Sequence, residues 1–115
     1  METITLWRPT GPNELKLVED SDWTAWPPRL PEQPIFYPVT TEEYAVKIAC
    51  DWNVPSSGSG YVTRFEVRKD FLDNYERQLA GGREHEEYWI PAEDLDALND
   101  AIIGKIEVVR TFPEE

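Results

Sequence analysis

Between Ser21 and Thr40 the chain reads SDWTAWPPRLPEQPIFYPVT, and five of its ten prolines (Pro27, Pro28, Pro31, Pro34 and Pro38) fall inside that stretch. Proline fixes φ and has no N–H to donate, so dense proline forbids both a helix and a central strand. The stretch is therefore expected to run as an extended connection packed onto the body through Trp23 and Trp26. Ile35, Phe36 and Tyr37 form a short strand at its end. At 115 residues the chain makes one domain, residues 1–115, with no room for a second core. Every functional group must then be mounted on one small scaffold.

On the N-terminal side, Ile4 and Leu6 alternate with threonines, which predicts a strand from Met1 to Arg8. Asn13 can cap a helix running to about Ser21. Beyond the prolines, Thr40 or Thr41 caps a helix, TTEEYAVKIACDWN, with Glu42 and Glu43 complementing its dipole. Its stripe of Ala45, Ile48, Ala49 and Trp52 predicts one buried face. GYVTRFEVR alternates as a strand with Tyr61, Thr63, Phe65 and Val67 inward and Arg64, Glu66 and Arg68 toward water. Residues 69–82 fit either a helical turn or a crossing loop. EEYWIP predicts a strand, Pro91 opens a helix carrying Leu95, Leu98 and Ile102, Gly104 stops it, and KIEVVRTF closes the chain as a strand. Without a regular βαβ repeat, this order predicts an α+β fold with a small, split, mainly antiparallel sheet and about three helices.

Eleven basic against 23 acidic residues give a formal charge of -12, which disfavours the phosphate contacts of non-specific nucleic-acid binding. A local pocket with one or two arginines could still hold a small phosphate ligand. The single cysteine, Cys50, has no partner for a disulfide and is expected to be a reduced packing residue. No stretch approaches the roughly 20 apolar residues of a membrane span, and METITLWRPT does not read as a signal peptide. A cytoplasmic setting is the resulting expectation.

REHEEYWIP, residues 83–91, gathers three glutamates and the only histidine. Strand alternation puts His85 and Glu87 on one face and Glu84 and Glu86 on the other. A metal would need further ligands that a single histidine cannot supply, so no metal site is expected. Ser56, Ser57 and Ser59 lack the elbow that would make a serine nucleophile for His85. A different combination draws on three distant places: Arg8, Tyr37 and Glu87. A guanidinium can hold a phosphate, a phenol ring can stack on a flat heterocycle, and a carboxylate can accept a ribose hydroxyl. Each also has an ordinary role: Arg8 paired with an acid, Tyr37 in the core, Glu87 solvated.

The layout LWRPTG, IFYPVTTEEYAVKIA and EEYWIPAEDL resembles the small ADP-ribosyltransferase fold. In addition, RPTGPNEL, PPRLPEQPIFYPV, GYVTRFEVR and EYWIPAEDL are similar to short bacterial proteins labelled "ADP-ribosylation/crystallin J1", over nearly the whole chain. The acid clusters and long helical chain of the larger ADP-ribosyl-hydrolase family are missing. The transferase resemblance implies NAD as substrate, Glu87 as the catalytic acid with His85 orienting it or the acceptor, and Arg8, Thr10, Tyr37 and Tyr44 on the NAD-binding side. Arg8 with Tyr37 mixes two patterns of that superfamily, and Glu86 offers a competing register for the acid. The alternative is a non-catalytic module of the same fold that binds ADP-ribose, NAD or a protein partner, in the manner of an immunity or regulatory protein.

Overall fold

The computed structural model describes residues 2–27, 35–75, 77–79 and 86–112. Its centre is a three-stranded antiparallel sheet in the order β1 (Thr3–Thr10), β3 (Gly60–Arg68), β7 (Ile102–Phe112). The β1–β3 register runs from Thr3 opposite Arg68 to Thr10 opposite Tyr61. Two short antiparallel pairs flank it: β2 (Ile35–Phe36) with β6 (Ile90–Pro91), and β4 (Arg77–Leu79) with β5 (Glu86–Tyr88). The fold is α+β with antiparallel sheets, as the mixed order of elements predicts.

Alternation along the strands decides which side chains meet. Leu6, Phe65, Val67 and Ile106 fall on one face and pack with Trp26, Phe36, Tyr88, Ile90, Leu95 and Leu98 into the main core. Trp26 stands 5.3 Å from both Phe36 and Phe65, ring centre to ring centre, which anchors the start of the proline stretch as expected. The face of β3 expected to be wet is partly covered. Val62 is fully buried there with Val39, Ala45 and Ala49, because the second helix lies across that end of the sheet.

Four helical segments occur among the described residues. The first, α1 (Pro12–Asp20), has Gly11 rather than Asn13 at its N-cap, with Pro12 in the first turn, where its missing N–H costs nothing. In α2 (Glu42–Ile48) the Thr41 hydroxyl accepts from the Tyr44 N–H at 3.2 Å. The rod continues as a π-helical turn, Ala49–Asn53, and then as α3 (Val54–Ser57). Short α4 (Lys69–Leu72) resolves part of the ambiguous 69–82 segment into a helical turn, followed by strand β4. The fourth segment is α5 (Leu95–Ala101), entered through a 3-10 turn, Ala92–Asp94.

Several expectations are corrected. Trp52 is 69% exposed and Cys50 is also exposed, so neither packs into the helix stripe. The π turn is the physical reason: its wider i→i+5 winding rotates residues after Ala49 out of the 3.6-residue phase. Pro91 ends a strand instead of opening a helix. Gly104 does not stop α5; it lies inside β7 at φ 79°, where the register slips between Arg64 and Glu66. That bulge turns the Ile106 N–H out of the ladder to the Trp23 carbonyl at 2.7 Å.

Candidate functional site

Residue 39 explains why distant parts of the chain meet. Val39 exchanges both backbone hydrogen bonds with Trp7, at 2.8 and 2.9 Å, and forms a second antiparallel bridge to Glu87. The Tyr88 N–H donates to the Pro38 carbonyl at 2.9 Å on the same seam. The chain leaving the proline stretch thus becomes a splint between the end of β1 and β5. Tyr37 precedes the splint by two residues, Arg8 follows Trp7, and Glu87 is its partner.

A cavity of about 410 Å³ opens at this seam, lined by Arg8, Pro9, Tyr37, Val39, Ile48, Asn53, Glu87 and Trp89. Arg8, Tyr37 and Glu87 therefore share one cleft. Alternation carries Trp89 to the same side as Glu87, and its ring meets Tyr37 edge-on at 6.1 Å between centroids. Tyr37 is 40% and Trp89 45% exposed, so this aromatic pair forms a wall open to solvent instead of joining the core.

Glu87 is the buried acid of the site, 9% exposed. Its carboxylate accepts from the Trp89 Nε1–H at 2.8 Å and from the Tyr44 hydroxyl at 3.2 Å, one donor per oxygen. Two fixed donors hold the carboxylate in one orientation at the cavity edge. Burial, then the Glu87 charge and the hydrogen bond to it, push the Tyr44 phenol above its ordinary pKa. Tyr44 accordingly remains a neutral donor through the physiological range. Thr41 sets this up, since its cap fixes the first turn from which Tyr44 projects.

Arg8 is differently engaged. Its guanidinium makes a fork to Glu14, with Nε–Oε2 at 2.8 Å and Nη2–Oε1 at 2.9 Å, and lies 4.4 Å from the centre of the Phe36 ring. The side chain is only 12% exposed. The charge that could clamp a phosphate is thus already matched by α1. Thr10 is buried with its hydroxyl unpartnered, outside the residues that line the cavity. Tyr44 stands behind Glu87 as its donor and is likewise not a lining residue. His85 and Glu84 lie outside the described residues, as does the side chain of Glu86.

Comparison with protein-family models, curated proteins and solved structures gives no match to this chain. The site must be read from its own geometry. Among the described residues, no group of three His, Cys, Asp or Glu side chains could hold a metal ion, and no helix is long and apolar enough to cross a membrane.

Of the lining residues that the sequence reading did not place in the site, Trp89 and Asn53 bring polar side-chain groups, whereas Pro9, Val39 and Ile48 are apolar. Trp89 carried a usable signal, because it stands two residues after Glu87 on an extended segment. Asn53 carried none: it reaches the cavity by ending the π turn, and its Oδ1 is buried without a partner.

Proposed function

We propose that the cleft takes the nicotinamide–ribose end of NAD, and that the protein is an ADP-ribosyltransferase-like enzyme with Glu87 as its catalytic acid. The observation that carries this reading is the convergence of Arg8, Tyr37 and Glu87, from three distant segments, on one cavity of about 410 Å³. Its setting between a three-stranded sheet and two short flanking pairs suits the split sheet of that fold.

In the reaction, the bond between nicotinamide and ribose C1′ breaks and its electron pair leaves with neutral nicotinamide. An acceptor nucleophile then bonds to C1′ and loses its proton. Glu87, held by Tyr44 and Trp89, stabilises positive charge growing on the ribose ring without having to reorient. Tyr37 and Trp89 wall the departing ring. Asn53 offers an amide to the same space.

A second reading is favoured by one observation: the Arg8 fork to Glu14 leaves the pyrophosphate side without a free cation from that residue. A module that binds NAD or ADP-ribose without turnover fits this pairing. Release of nicotinamide from labelled NAD, with and without lysate as acceptor source, separates the two. The transferase reading expects release by the wild type and a fall of about 100-fold in Glu87→Gln. Binding without release supports the module, and absence of both rejects the cleft as an NAD site.

A further inference from the structure

We infer that the aromatic end of the cleft selects a flat organic cation, and that positive charge on the ring, more than the nucleotide behind it, determines what binds there. The inference deepens the reading of this cleft as a pyridine-nucleotide site and rests on the cleft being a ligand site.

The argument begins with the charge balance of the cavity. Glu87 is 9% exposed, and both of its hydrogen-bond donors, Tyr44 and Trp89, are neutral. Among the described residues no lysine or arginine forms an ion pair with it. Among the described residues that line the cavity, Arg8 is the single basic one, and its guanidinium is matched by Glu14. Among the described residues, the cavity wall therefore carries an uncompensated negative charge, and desolvating a carboxylate without a counter-ion is costly.

The remaining groups match the same ligand. Tyr37 and Trp89 stand edge to face at 6.1 Å, and both are open to solvent, so a planar ligand can slide against an indole or phenol face while its charge approaches Glu87. A cation over such a face gains from the negative potential of the ring. The buried, unpartnered Asn53 Oδ1 favours a ligand that brings an N–H donor, such as a carboxamide. An anionic group placed at this end would meet Glu87 unscreened. A volume of about 410 Å³ admits one substituted ring and little more.

The test is calorimetric titration of the full chain with four probes: 1-methylnicotinamide, a permanent cation; nicotinamide, its neutral counterpart; ADP-ribose, which lacks the ring; and NAD itself. The expected result is binding of 1-methylnicotinamide about tenfold tighter than nicotinamide. That preference should vanish in Glu87→Gln and weaken several-fold in Tyr37→Leu, whose exposed position keeps it clear of the core; circular dichroism checks the fold of each. Equal binding of cation and neutral ring overturns the inference. Binding of ADP-ribose with neither pyridine ligand also overturns it, while leaving the nucleotide reading in place. Binding of the cation but of neither ADP-ribose nor NAD supports the inference and removes the nucleotide reading. No binding of any probe removes both.

Discussion

At the scale of single residues, Glu87 owes its position to neighbours more than to its own strand. Trp89 donates to one oxygen and Tyr44 to the other, so the acid is oriented by two side chains, one of them 43 residues away. Tyr44→Phe should cost about 1 kcal/mol in chemical denaturation. It should also lower nicotinamide release by loosening the carboxylate, with less effect on NAD binding. The reciprocal effect is visible in titration. Since burial and the Glu87 charge both favour the neutral phenol, NMR of labelled tyrosines should show Tyr44 ionising above an ordinary tyrosine, with a smaller displacement in Glu87→Gln. The candidate acid was legible in the sequence because a glutamate before an aromatic strand is a local pattern. Tyr44 could be named but not given its role, since the bond to Glu87 depends on the splint at Val39, which no local spacing encodes. Likewise Arg8 was visible as a cation, whereas its fork to Glu14 depends on where α1 folds back.

At the scale of elements, the π turn and the strand β4 after α4 are the parts that periodicity did not disclose. The segment 42–53 reads as a single amphipathic helix, and the 3.6-residue rule holds through Ala49. It then fails at Trp52, because backbone winding changed while the sequence pattern did not. That turn rests directly on β3: a Cβ at Gly60 would lie 2.9 Å from the Ala49 carbonyl oxygen and 2.9 Å from the Asn53 Cβ. Gly60→Ala is thus expected to cost about 2 kcal/mol by urea denaturation and to displace Asn53 from the cavity wall. A second tie joins the turn after α4 to the 3-10 turn before α5, where the Tyr75 hydroxyl donates to Asp94 at 2.7 Å. Burial first, and then Asp94, raise the Tyr75 pKa from 10.0 to about 12. A phenol raised in the folded state stabilises fully below its unfolded pKa and loses that contribution as pH climbs through its folded pKa. Stability should therefore fall between about pH 10 and pH 12, and the gap between wild type and Tyr75→Phe should narrow over the same range.

At the scale of the whole molecule, the α+β class and the antiparallel sheet were legible, because strand alternation and the Thr41 cap are written locally. The way the pieces close was not. The chain crosses its proline stretch and returns through Val39 to bind β1 and β5 at once, and this single seam both completes the fold and creates the cleft. A second cavity of about 320 Å³, lined by Asp22, Trp23, Lys105, Ile106 and Val108, lies at the β7 bulge and includes the Lys105–Asp22 pair. The two cavities contain different tryptophans, which makes the location of any ligand measurable. The five indole N–H groups can be followed in a heteronuclear NMR spectrum as NAD is added. The account predicts that the Trp89 indole, bonded to Glu87, shifts progressively while that of Trp23 stays fixed. A shift at Trp23 with Trp89 unchanged, or no shift at any indole, would contradict it.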